Sequence, residues 1–75
     1  MKRIDVDART MRCPMPLLKL KQALAMVSMG DEIRLRVTDA GAWRDVPAFV
    51  ALSRHRLIEK SHNTDEYYFV VEKGE

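Results

Sequence analysis

Strands are predicted where apolar and polar residues alternate, because that period turns one side of a strand toward the core. The alternation covers residues 3–7 and 32–38, so one face of the sheet should be packed and the other solvated. Two further strands are predicted at 57–60 and 67–71, separated only by residues 61–66. A connection this short predicts an antiparallel hairpin.

A first helix is predicted from Pro14 to about Ser28. Its apolar residues recur at spacings of three, four and three, which places them on one helical stripe. The stripe consists of Leu17, Leu20, Leu24 and Val27, with Leu18 and Met26 at its margins. Gly30 suits a left-handed cap at the C-terminal end of this helix.

A second helix is predicted from about Trp43 to Arg54. Its inner stripe should contain Val46, Phe49, Val50 and Leu52 or Ser53. Pro47 belongs in the first turn, where a backbone N–H has no partner within the helix. It therefore places the helix start at about Ala42 to Arg44.

The order of these elements predicts a mixed sheet. A strand–helix–strand crossover makes the first two strands parallel, so both helices begin at the same edge of the sheet. Functional groups of such folds gather at that edge. Cys13 stands at the start of the first helix and the segment 39–45 surrounds the start of the second. We therefore expect these two segments to share one surface.

Composition narrows the class of protein. The 75 residues form one domain, 1–75, and their 47% hydrophobic content is typical of a packed chain. Thirteen Lys and Arg against eleven Asp and Glu leave a net charge of +2, a weaker basic bias than a dedicated nucleic-acid binder shows. One cysteine allows no internal disulfide, and no leader or spanning segment is visible. We expect a monomer in the cytoplasm, away from the membrane.

Cys13 is the candidate reactive group. It lies between Arg12 and Pro14, with Pro16 two residues further on. As the residue before the helix it would be the N-cap, with Pro14 at the first helical position. The helix dipole, Arg12 and the nearby Arg9 would then lower the thiol pKa. The prolines remove two N–H donors, so we interpret them as a rigid step that holds the thiol outward. The alternative is a buried, inert cysteine.

The segment 7–17, with its Cys-Pro-Met-Pro step, resembles the opening Asp-x-x-Gly-x-x-Cys-Pro-x-Pro of the SirA/TusA family of sulfur carriers. Similarity continues through 30–32, through 39–47 with its Arg-Asp-Val-Pro ending, and into Lys73-Gly74. Thr10 departs from the family at a common glycine. Ala40 replaces a proline that often follows the aspartate, and both departures lie where a partner would dock.

The resemblance implies an α+β two-layer sandwich of β-α-β-α-β-β order, with two helices on one face of a four-stranded mixed sheet. It also implies that Cys13 accepts sulfane sulfur as a transient persulfide, without a resident cofactor. The donor would be a cysteine desulfurase or a rhodanese-like protein. A downstream acceptor protein would take the sulfur toward tRNA thiolation, molybdenum-cofactor maturation or another sulfur relay. Such a carrier acts as a sulfurtransferase only together with partner enzymes.

Supporting positions follow from the same motifs. Arg12, Pro14 and Pro16 would support Cys13, and partner contacts are expected at Lys19, Asp39, Arg44 and Asp45. Lys19 could equally be a solvated helix position, and Asp45 could simply complement the helix dipole.

Two other functions remain open. A nucleic-acid or regulatory binding module would use the outer sheet face, where Arg34, Arg36 and Tyr68 should point. A redox sensor would oxidise Cys13 itself. His55 and His62 lie seven residues apart without a second ligand cluster, so we expect no metal site.

Overall fold

The computed structural model of the chain describes residues 2–74, which form four strands and two helices. The elements are β1 (Arg3–Ala8), α1 (Met15–Ala25), β2 (Glu32–Val37), α2 (Ala42–Ala51), β3 (Arg56–His62) and β4 (Tyr67–Glu72). The predicted order and the α+β class are confirmed. Neither helix is long and apolar enough to cross a membrane.

The four strands form one mixed sheet in the order β1-β2-β4-β3. β1 and β2 are parallel, as the crossover through α1 requires. β4 pairs antiparallel with both β2 and β3, which confirms the predicted hairpin. A bulge between Leu57 and Glu59 shifts the register of β3 against β4.

Both helices pack on one face of this sheet and enclose a single apolar core. Its largest fully buried side chains include Leu20 from α1, Val46 from α2, and Ile33 and Phe69 from the sheet. The predicted stripe of α1 is largely confirmed, although Leu17 is only half-buried. Of the two alternatives for the end of the α2 stripe, Leu52 is 92% exposed and Ser53 is half-buried, both just beyond the end of the helix.

The first helix is shorter than the sequence predicts. It starts at Met15 and ends at Ala25, with Pro14 as the N-cap residue. The N-cap is therefore Pro14 and not Cys13. Just before the helix, the Met15 N–H bonds the Arg12 carbonyl in a tight turn, at 2.8 Å. Gly30 does take a left-handed φ of 93°, but in the loop that leads to β2 rather than at the helix end.

Pro47 lies one turn inside α2 instead of in its first turn. The helix starts at Ala42, whose N–H bonds the Asp39 carbonyl at 3.1 Å. Pro47 then supplies no N–H for the Trp43 carbonyl one turn earlier. The turn before this helix reaches the Cys13 loop, because the Asp39 carboxylate accepts the Cys13 N–H at 2.7 Å.

Candidate active site

Cys13 lies exposed in the loop between β1 and α1, and Asp39 holds its backbone. One Asp39 carboxylate oxygen accepts the Cys13 N–H at 2.7 Å. The other oxygen accepts the Gly41 N–H at 3.0 Å. These bonds join the Cys13 loop to the start of α2, which confirms that the two segments share one edge.

The two N–H bonds also set the charge state of Asp39. Because hydrogen bonds from Gly41 and Cys13 favour the ionised carboxylate, the pKa of Asp39 is lowered from its usual 3.8. The positive charge of Arg12 acts in the same direction. Asp39 is thus a fixed negative charge beside the cysteine.

Asp45, in the first turn of α2, contacts the sulfur itself. The Cys13 thiol donates a hydrogen bond to Oδ2 of Asp45, with 3.0 Å between the sulfur and the oxygen. This bond raises the pKa of Cys13, and desolvation and the charges of Asp45 and Asp39 add to the effect. The predicted lowering is therefore wrong, because two carboxylates outweigh the opposing charge of Arg44.

The first turn of α1 offers few free N–H groups that could stabilise an anionic sulfur. Pro14 and Pro16 lack an N–H, and the N–H of Met15 is taken by Arg12. Pro16 is buried, and with Leu17 and Val46 it lines the small crevice beneath the thiol. The prolines thus shape the support of Cys13, consistent with the rigid step expected from the sequence.

Thr10 keeps the backbone shape that glycine would adopt more easily. Its φ is +68°, in the left-handed region that disfavours a β-branched residue. Its N–H donates to Oγ1 of Thr38 at 2.9 Å, which fastens the loop to the end of β2. An open groove of ≈ 470 Å³ runs from Thr10 past Arg12 to Cys13.

The other predicted positions occupy the margin of this site. Arg12 is exposed, and the side chain of Arg44 is 88% exposed with its Nε 3.7 Å from Oδ1 of Asp45. Lys19 is half-buried rather than fully solvated. Arg9 does not serve Cys13, because it pairs with Asp7 at 2.8 Å and Glu66 at 3.6 Å.

Two functional features escaped the sequence analysis. The first is the bond from Cys13 to Asp45, which joins residues 32 positions apart and has no local signature. The second is an exposed apolar pair in the first turn of α1, Met15 at 43% and Leu18 at 42%. Their signal was available, since both fall outside the buried stripe of α1.

The aromatic and histidine side chains have structural surroundings. Trp43 packs edge-on against His62, with ring centroids 4.9 Å apart, and also contacts Phe69 in the core. The ammonium of Lys60 lies 4.1 Å from its ring centroid. His55 accepts the Gly74 N–H at 3.1 Å, which anchors the end of the described chain.

The arginines of the outer sheet face are paired with carboxylates. Arg36 bonds Glu66 at 2.8 Å, and Arg34 lies 3.6 Å from Asp5. Tyr68 lies beneath Arg36, with its ring centroid 5.9 Å from the guanidinium carbon. Each of these two arginines thus has a carboxylate partner, which lowers the net positive charge of this face.

The fold and the site together define a small α+β domain that presents one thiol, held between two carboxylates, where both helices begin. The family model described as sulfurtransferase TusA matches residues 4–73. The chain belongs to this family. It is 29% identical over 70 residues to the sulfur carrier protein TusA of Allochromatium vinosum, covering 93% of this chain and 92% of the relative.

Other relatives show the same full-length similarity. A putative sulfur carrier protein of Neisseria meningitidis is 34% identical over 67 residues, which cover 89% of this chain and 90% of the relative. The putative sulfur carrier protein YrkI of Bacillus subtilis is 32% identical over 69 residues, 92% of each chain. The similarity therefore spans the helix-start edge as well as the core.

Proposed function

We propose that this protein is a sulfur carrier that accepts sulfane sulfur on Cys13 as a persulfide and passes it to a partner protein. The observation that carries the proposal is the position of the chain's single thiol, exposed at the helix-start edge of a domain of the TusA family. The names of the relatives, which describe sulfur carriers, support the same function.

The chemistry requires one accessible thiol. The Cys13 sulfur, as its thiolate, attacks the terminal sulfur of a donor persulfide by the same displacement as thiol–disulfide exchange. The Cys13–sulfur bond forms with the electron pair of the thiolate, and the donor S–S bond breaks with its pair on the departing donor thiolate. The proton lost by Cys13 ends on that thiolate, so no oxidant or reductant is needed. With no second cysteine in the chain, nothing internal can resolve the persulfide as a disulfide.

The partners are proteins that expose a reactive sulfur. We propose a cysteine desulfurase or a rhodanese-like protein as donor, and a downstream protein of tRNA thiolation, molybdenum-cofactor maturation or a related relay as acceptor. Met15 and Leu18 offer exposed apolar area in the first turn of α1, and Arg12 and Arg44 offer charge for orientation. Lys19 lies on the same helix. A reducing compartment, such as the cytoplasm, would keep Cys13 available.

The family of the chain, rather than the thiol environment, favours a carrier over a redox sensor. Sensor cysteines react as thiolates, and so does a carrier cysteine. The Asp45 hydrogen bond that raises the pKa of Cys13 therefore bears on both functions equally.

The test is the intact mass of the protein after incubation with a cysteine desulfurase and cysteine, without reductant. We expect the native protein to gain one sulfur atom and a Cys13→Ser control to gain none. Serine can still donate to Asp45, so the control should keep its fold. Absence of the gain, repeated with a rhodanese-type donor and thiosulfate, would overturn the proposal.

A further inference from the structure

The surroundings of Cys13 distinguish a thiol from a persulfide. The thiol has a proton and donates it to Asp45 at 3.0 Å. A persulfide is more acidic than the parent thiol and is largely ionised near neutral pH, so its terminal sulfur is an anion without a proton to donate. The carboxylate that binds the unloaded side chain would therefore repel the loaded one.

All charged groups that face the sulfur contribute to this balance. Asp45 and Arg44 come from α2, and Asp39 comes from the turn before it. Arg12, in the Cys13 loop, acts on Asp39. Arg44 points largely into solvent, at 88% exposure, whereas Asp45 is about one-third exposed. The elements nearest the sulfur thus carry two negative charges, and the cations lie at the solvent margin.

From this geometry we propose that Asp45 drives sulfur release, by binding the unloaded thiol of Cys13 and repelling the persulfide anion. The inference rests on the proposed carrier function and assigns Asp45 as a positioning residue in it. It replaces the simple expectation that Asp45 only contacts a partner. A carrier benefits from such a bias, because sulfur held too firmly would not reach the acceptor.

Sulfur release replaces the repulsion between Asp45 and the persulfide with a hydrogen bond. An acceptor thiolate attacks the terminal sulfur of the Cys13 persulfide and forms a new S–S bond with its electron pair. The bond between Cys13 and that sulfur breaks, and its pair stays on Cys13 as a thiolate. This thiolate takes up a proton from solvent or from the acceptor group and donates it again to Asp45. Release therefore restores the hydrogen bond that loading had removed.

The experiment compares the native protein with Asp45→Asn, which keeps the side-chain shape and removes the charge. Both are loaded with sulfur and equilibrated with glutathione in anaerobic buffer at low ionic strength, and the loaded fraction is read by mass spectrometry. We expect Asp45→Asn to shift the equilibrium toward the loaded protein by about fivefold, the effect of two unit charges about 4 Å apart in water. Salt should reduce the difference.

Two controls test whether the contact with Cys13 causes the shift, rather than net charge or a change in the fold. Asp5→Asn makes the same change in net charge on the outer sheet face and should leave the equilibrium unchanged. In the unloaded proteins, the pH midpoint of Cys13 alkylation should fall in Asp45→Asn, a result that a purely structural role would not produce. If Asn disturbs the fold, Asp45→Ser replaces it.

The outcomes are distinct for the two proposals. If neither protein can be loaded, the carrier function itself fails. If both load and reach the same equilibrium with glutathione, the carrier function stands and the role of Asp45 is refuted. A shift that Asp5→Asn reproduces would also refute it, because net charge rather than the Cys13 contact would then be responsible.

Discussion

Removing the Asp39 carboxylate should loosen the loop that carries Cys13 and destabilise the whole domain. Asp39→Ala loses the acceptor of the Cys13 N–H at 2.7 Å and of the Gly41 N–H at 3.0 Å. Each bond is worth about 1 kcal/mol net, below the roughly 1.5–3 kcal/mol of bonds to buried charged groups, because the Cys13 bond is exposed. We therefore expect a loss of about 2 kcal/mol. Asp39→Asn keeps one acceptor oxygen and should lose about half of that.

Urea unfolding at pH 7 measures the free energy of unfolding of both variants against that of the native protein, and thermal unfolding gives the corresponding Tm. For a domain of this size, a loss of about 2 kcal/mol corresponds to a fall in Tm of roughly 8–16 °C. Asp5→Ala serves as the matched control, because Asp5 makes a single exposed pair with Arg34 at 3.6 Å and should change stability by less than about 0.5 kcal/mol.

The pH dependence gives a second check on the same side chain. Since the native pKa of Asp39 is lowered below 3.8, its stabilising contribution is complete above that value. The contribution is lost as the pH falls through the native pKa, so the stability gap between native protein and Asp39→Ala should close in acid. Equal stability of Asp39→Ala and Asp5→Ala at pH 7, or a gap that persists in acid, would refute the reasoning.

Four further substitutions test the fold, each by the urea midpoint. Thr10→Gly should stabilise the domain by about 1 kcal/mol, because the left-handed φ of +68° disfavours threonine more than chain entropy disfavours glycine; a decrease would contradict this strain. Gly74→Ala should destabilise it by about 1–3 kcal/mol, since a β-carbon there would overlap the Arg54 carbonyl oxygen; unchanged stability would mean that the terminus moves freely. Leu20→Ala should cost about 2–5 kcal/mol at a fully buried position, whereas Leu52→Ala, at 92% exposure, should cost almost nothing. Similar losses for these two leucines would contradict the packing of the core.

The elements and their order could be predicted from the sequence because they depend on local periods. Alternation identified β2, and the three–four spacing identified the face of α1 that buries Leu20 and Leu24. Helix ends were predicted less well. The helices end at Ala25 and Ala51 rather than at the predicted Ser28 and Arg54, whereas the start of α2 at Ala42 agrees with the prediction. The C-terminal ends depend on hydrogen bonds that tighten the last turn, such as that from Met26 to Ala23, which the periodicity does not contain.

The sequence by itself determined the α+β layout, the single cysteine and the edge at which it lies, because covalent order and the handed crossover leave few alternatives. Only the tertiary structure decided the state of that cysteine. Local reasoning from Arg12 and the helix dipole predicted a lowered pKa. The folded chain instead brings Asp39 and Asp45 to Cys13 from 26 and 32 positions away. Charge acts through distance in space, so the residues that govern the thiol are those the fold places beside it rather than its neighbours in sequence.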